Sequence, residues 1–239
     1  MYDKIFVLTD NKKQYDAFQE LLDQFNVKKN FAFYCSPGNK LLNDEIRSIN
    51  LKEKHVWVSN HYQLAFSLHS KQLFPEPLVE TIPCINIHPG YNPYNRGWYP
   101  QVFAILEDNV IGATIHLMDK ELDNGQIIAR KKVEKHCWDT SETLYKRVLE
   151  AEFELLNESL ENILNGTFKS FPPEEKGELK LKKDFYQHCE IDLDKEGTFR
   201  DFYNYLRSMS HGDFKNAYFV DTTTGKKVYL KLKIELENE

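Results

Sequence analysis

Short apolar runs alternate with longer stretches in which apolar residues recur every three or four positions, from the first residues to about position 165. Lys4–Thr9 reads as a strand, and Gln14 to Phe25 carries apolar residues at helical spacing, giving a strand–turn–helix opening. Phe31–Cys35 predicts a second strand, turned by Ser36-Pro37-Gly38, and Val56–Val58 and Leu64–Leu68 are further apolar runs. Cys84–His88 predicts a strand that must leave the sheet at once, because Pro89 and Gly90 cannot continue a buried ladder. Gln126–Val133 predicts another strand, and a helix should run from Asp139 to about Asn165. Asp139 and Glu142 approximate a capping box at its start, and Gly166 suits its C-cap. The alternation predicts an α/β protein.

Beyond Gly166 the pattern changes. Phe171-Pro172-Pro173 opens a charged linker, which predicts a boundary between residues 1–170 and a small region 171–239. Gly197–Met209 reads as an amphipathic helix with Phe199, Phe202, Leu206 and Met209 along one side. Ala217–Val220 and Lys227–Ile234 predict two strands joined through Asp221–Gly225. A lone hairpin is only marginally stable in water, so this tail must pack on its own chain or on a second copy.

Composition narrows the partners. A chain of 239 residues with 41% hydrophobic side chains can bury a full core. A formal charge of -6 argues against a nucleic-acid partner, and the short basic run Lys180–Lys183 reads as a solvated face. No apolar run is long enough for a bilayer, and the first residues lead straight into a strand, so no membrane partner and a cytoplasmic location are expected. Cys35, Cys84, Cys137 and Cys189 are scattered, without metal-ligand spacing, and are expected to be reduced thiols; no metal is expected.

The chemistry-bearing residues gather around the strand that ends at His88. Asn86 and His88 are two apart, so on a strand both leave the same face and their heads can meet one substrate atom. A strand end in an open α/β sheet is where ligands bind, although a histidine there is also an ordinary structural residue. The turn Leu122-Asp123-Asn124-Gly125 offers a carboxylate; turn formation alone also explains Asp123, and Asp119 competes for the same role.

The run Asn86–Gln101 (NIHPGYNPYNRGWYPQ), followed by Ile111–Asp119 (IGATIHLMD) and Leu122–Ile128 (LDNGQII), resembles the formyltetrahydrofolate-dependent formyltransferases. That superfamily includes methionyl-tRNA formyltransferase and glycinamide ribonucleotide transformylase. Tyr91–Trp98 looks most like the branch that formylates amino sugars carried on dTDP. Looser similarity covers residues 1 to about 165, and Asp192–Leu232 also resembles the sugar branch. The resemblance implies a Rossmann-like core, a mostly parallel sheet flanked by helices, with a small C-terminal helix and β-hairpin. It also implies 10-formyltetrahydrofolate as co-substrate, a homodimer, and Asp123 rather than Asp119 as the carboxylate beside Asn86 and His88. His69, Lys71, Gln72, Leu73 and Phe74, together with Leu122, fall where the superfamily holds the folate; Phe74 can equally be core.

The residue types fit that reaction. Moving a formyl group to an amine passes through a tetrahedral carbon bearing an oxyanion, while the incoming nitrogen loses a proton. An Asn amide can donate to the oxyanion, a His can carry the proton, and an Asp beside the ring can fix its tautomer and stabilise the imidazolium. No serine or cysteine nucleophile is required. For the acceptor, Asn11 or Lys12 can touch a nucleotide sugar, the other reading being a helix cap at Asp10 or Asn11. Tyr91, Tyr94 and Trp98 can stack on a pyrimidine and Arg96 can pair with a diphosphate, though each also has a structural reading; Tyr205, Arg207 and His211 are further candidates for the nucleotide. The expected activity is formyl transfer to the 3- or 4-amino group of a dTDP-amino-dideoxyhexose, in bacterial surface polysaccharide synthesis. The alternatives are methionyl-tRNA formyltransferase, which adds a larger basic domain, and a non-catalytic folate- or nucleotide-binding module.

Overall fold

A computed structural model describes residues 1–237. Seven strands form one sheet in the order β3-β2-β1-β4-β5-β7-β8. The chain builds its first half from β1 (Ile5–Thr9), α1 (Lys12–Gln24), β2 (Phe31–Cys35), β3 (Arg47–Ser48), α2 (Leu51–His61), β4 (Leu64–Leu68), α3 (Glu76–Thr81) and β5 (Cys84–His88). Every residue of β1 and β4 is buried, as parallel strands covered on both faces require. Val56–Val58 belongs to α2, where only Val58 of the three turns inward. Leu64–Leu68 is a strand and feeds the loop that starts at His69.

After β5 come β6 (Arg96–Gly97), α4 (Pro100–Leu106), β7 (Ile111–Leu117), β8 (Ile127–Val133) and the long α5 (Ser141–Asn165). Strands β1 to β5 pair in parallel, whereas β7 runs antiparallel to both β5 and β8. Ile5, Val7, Phe66, Ile85 and Ile87 pack with residues of α1 and α5 on one face. Phe6, Leu8, Ala65 and Cys84 pack with α2 and α3 on the other. The strand order reverses between β1 and β4, the kind of switch at whose carboxyl ends open α/β sheets bind ligands.

The cap of α5 differs from the expected one. Thr140 is the N-cap and exchanges hydrogen bonds with Thr143, while Asp139 accepts from the His136 amide and pairs with Arg147. Gly166 closes the helix at φ +67°. The segment after it is woven into the body: Phe171 exchanges both backbone hydrogen bonds with Ile127, and β9 (Leu179–Lys180) pairs with β6. The chain ends with α6 (Lys182–Gln187), α7 (Phe199–Met209) and the antiparallel pair β10 (Ala217–Val220) and β11 (Lys227–Leu230), so the last strand stops at Leu230 rather than Ile234. Phe185, Cys189, Met209 and Ala217 pack on Val102 and Phe103 of α4. The predicted apolar side of α7 is divided: Met209 is buried, whereas Phe199 remains 88% exposed.

Candidate active site

Ile85 and Ile87 of β5 enter the core, so Asn86 and His88 between and beyond them share the other face of the strand. The register of β7 sets His116 across from Asn86 and Thr114 across from His88. The turn after β7 brings Asp123 back over this pair. Asp123 takes a left-handed backbone, φ +49°, which aspartate tolerates better than most residues. Its carboxylate is buried: Oδ1 accepts from Asn86 Nδ2 at 2.9 Å, and Oδ2 accepts from the Gly97 amide at 3.0 Å. His116 Nε2 lies 3.4 Å from Oδ1, and His88 Nδ1 lies 3.6 Å from Oδ2. Asp119 is exposed and, among the described residues, accepts only from the Glu121 amide within its own turn.

These contacts fix proton positions. The Asn95 carbonyl can only accept, so the 2.8 Å contact from His88 Nε2 places a hydrogen there and leaves Nδ1 as the basic atom of the neutral ring. The tautomer is thus set by Asn95 rather than by Asp123, whose 3.6 Å separation exceeds a direct hydrogen bond. In the same way the Leu117 carbonyl, 2.8 Å from His116 Nδ1, leaves His116 Nε2 to accept from Asn86 Nδ2 at 3.3 Å. Both amide hydrogens of Asn86 are engaged, while among the described residues nothing donates to its Oδ1. Burial alone would raise the Asp123 pKa, but the facing His88, the His116 hydrogen bond and the Gly97 amide outweigh it and hold the carboxyl well below the usual carboxylate range.

The surrounding loops lock this arrangement. Arg96, expected to meet a diphosphate, is buried and gives Nε and Nη2 to the Leu122 carbonyl and Nη1 to the Gly177 carbonyl, clamping the turn that carries Asp123. Asn92 Nδ2 donates to the Asp123 carbonyl at 3.0 Å, and Thr114 Oγ1 donates to the Gly90 carbonyl at 2.7 Å. A Cβ at Gly90 would collide with His88 Nε2 and the Asn95 carbonyl, so this close approach demands glycine.

The other predicted residues fall in two groups. His69 directs its ring to Glu152 of α5, and Gln72 bonds with Ser36, Ile49 and Leu51. Phe74 is core, while Lys71 and Leu73 are exposed and Leu122 is half-buried. Asn11 is the N-cap of α1, accepting from the Lys13 and Gln14 amides, and Lys12 pairs with Asp16 and Glu45. Tyr91 and Tyr94 stack 6.4 Å apart, with Arg130 over Tyr91, and Lys182 lies 3.9 Å over the half-buried Trp98. Tyr205 donates to the His188 carbonyl, buried Arg207 donates to the His136 and Asp139 carbonyls, and His211 contacts Ser141. His116 is the group in this cluster that the sequence patterns do not single out, because only the pairing of β7 with β5 sets it across from Asn86.

Residues 63–160 match the formyl transferase family, and residues 184–236 match the N-formyltransferase dimerization C-terminal domain. The chain is 39% identical over 233 residues to a dTDP-4-amino-4,6-dideoxyglucose formyltransferase of Mycobacterium tuberculosis, covering 98% of this chain and 97% of that protein. A crystal structure of a 4-N formyltransferase from Francisella tularensis superposes with a TM-score of 0.92 at 41% identity, over 98% of this chain and 99% of the other. A methionyl-tRNA formyltransferase of Borreliella burgdorferi is more distant, 28% identical over 73% of this chain and 66% of its own length.

Proposed function

The chain belongs to the sugar N-formyltransferases, and on that premise we propose that it moves the formyl group of 10-formyltetrahydrofolate to the 4-amino group of a dTDP-linked 4-amino-4,6-dideoxyhexose. The observation that carries the reading is the convergence of Asn86, His88 and Asp123 on one point at the carboxyl end of β5. The similarity to relatives named for a 4-amino substrate supports the fourth carbon over the third.

In this reading Asn86 Oδ1 accepts a hydrogen of the incoming amine and aims its lone pair at the formyl carbon. Attack forms the new C–N bond and places negative charge on the formyl oxygen. Asn86 Nδ2 reaches that oxygen by exchanging its 3.3 Å contact with His116. His88 Nδ1 takes the amine proton, and the imidazolium so formed has the Asp123 carboxylate and the Asn95 carbonyl as acceptors on its two nitrogens. Return of that proton to the departing folate nitrogen breaks the old C–N bond and yields the formamido sugar and tetrahydrofolate. Backbone groups of His69–Phe74 and the Leu122 turn hold the folate. Tyr91, Tyr94 and Trp98 are the aromatic groups available to the acceptor.

The exposed Phe199, Phe214, Tyr229 and Leu230 support a dimer formed through the region that starts near residue 171. Four free thiols agree with a reducing, cytoplasmic setting. The test is incubation of purified protein with 10-formyltetrahydrofolate and a panel of 3- and 4-amino dTDP-sugars of both gluco and galacto configuration, following formamide formation. Turnover of the 4-amino compounds is expected. Turnover of charged initiator tRNA alone would overturn the substrate assignment, and folate binding without any turnover would reduce the protein to a binding module.

A further inference from the structure

We infer that Glu152 and Asp10, two buried carboxylates distant in sequence, are positioning residues that hold the loop His69–Phe74 ready for the formyl donor without touching it. The inference rests on the proposed placement of the folate at that loop.

Glu152 is fully buried on the face of α5 that packs Val148, Ala151, Leu155 and Leu156 into the core. An apolar residue would suit that place, and a carboxylate there is costly unless it is paired. Among the described residues its only hydrogen-bond partner is His69 Nε2, which reaches both oxygens at 2.9 and 3.1 Å. Tyr145 of the same helix meets the other ring nitrogen at 3.4 Å. His69 itself has φ +54°, a left-handed conformation that a non-glycine residue keeps only when its surroundings hold it. The register that sets Leu68 beside Ile87 makes the loop begin, at His69, beside the end of β5 that carries His88. The Glu152 clamp therefore fixes the loop at the point where it passes the catalytic strand.

Asp10 holds the loop from the other end. It accepts from the Ser36 amide at 2.9 Å, the Ser36 hydroxyl at 2.6 Å, Asn39 Nδ2 at 3.0 Å and the Lys71 amide at 2.7 Å. Gln72 completes this anchor: its Nε2 donates to Ser36 Oγ and the Ile49 carbonyl, both at 3.0 Å, and its Oε1 accepts from the Leu51 amide at 2.8 Å. Residues 69, 71 and 72 are thus immobilised, while Leu73 stays 72% exposed beside them. A flat heterocycle read by backbone groups binds better when those groups are ordered in advance, because no ordering is left for the binding step.

The test measures binding of 5-formyltetrahydrofolate, a stable stand-in for the formyl donor, by titration calorimetry without any acceptor, followed by steady-state kinetics. Glu152→Gln and Asp10→Asn are each expected to raise the Kd and the donor KM at least tenfold, with kcat within threefold and the nucleotide-sugar KM within twofold. A Kd within twofold of the parent would overturn the inference. The double variant His69→Gly with Glu152→Leu removes both partners, relaxes the left-handed backbone and fills the space with carbon. It should melt no lower than Glu152→Gln yet still bind the folate weakly; recovery of affinity together with stability would make the pair merely structural and overturn the inference. A parent protein that binds no folate would instead overturn the donor reading itself.

Discussion

At Asn86 one amide serves two neighbours: its hydrogens go to Asp123 and His116. Replacing the ring of His88 removes the base but none of the contacts that hold the loop His69–Phe74. His88→Asn is therefore expected to lower kcat about a thousandfold while folate Kd stays within twofold, measured by single turnover and calorimetry. The buried Asp123 makes a second prediction. Its carboxyl is held below the ordinary value of about 3.9, so its contribution to stability is full above that pH and is lost as the pH falls through the lowered value. Urea midpoints should accordingly drop on acidification below about pH 4 in the parent, and less steeply in Asp123→Asn, which should already be weaker at neutral pH. Equal acid slopes for the two proteins would contradict this. Asn86 and His88 are legible in the sequence because they sit at a strand end, whereas the turn alone does not separate Asp123 from Asp119 and only the family resemblance of that turn selects it. His116 is not legible, since a histidine between Ile115 and Leu117 reads as core until β7 is laid beside β5. Arg96 misleads for the same reason: its carbonyl partners Leu122 and Gly177 come from segments no local pattern joins to it.

Among the elements, β1, β2, β5 and β8 are legible almost residue by residue, because five residues such as Cys84–His88, mostly apolar and bounded by turn formers, are too short for a helix and suit a strand, whereas β7 is not singled out by its period. Val56–Val58 is too short for its period to be read, and only the burial of Leu51 and Val58 on one side shows it to be helical. Caps divide differently. At α1 the sequence leaves Asn11 open between cap and ligand contact, and the folded chain uses its side chain to hold two amides of the first turn. Asn11→Ala should cost about 1 kcal/mol of stability, seen as a lower melting temperature, with the nucleotide-sugar KM unchanged; a KM raised several-fold at unaltered stability would instead assign Asn11 to the ligand. At α5 the expected Asp139 cap stands one residue early, because Thr140 with Thr143 completes the reciprocal pair and frees Asp139 for Arg147.

For the whole molecule, the α/β character follows from periodicity, whereas the docking of the C-terminal elements does not. Phe185, Met209 and Ala217 pack on α4, yet Phe199, Phe214 and the outer side of β11 remain exposed. A surface of that kind suits a second copy of the chain. Phe199→Asp should shift the protein from dimer toward monomer in sedimentation velocity, without lowering the melting temperature by more than a few degrees. A parent protein that sediments as a monomer at micromolar concentration would count against the dimer. The groups of the proposed site, Asn86, His88 and Asp123, lie with His116 on β5, β7 and the turns around them, one uninterrupted stretch of chain. Such a segment can be inherited as a cassette together with the strap that braces it: grafts that exchange the chain beyond Lys180, and so keep the Gly177 carbonyl that Arg96 holds, should retain the formyl chemistry.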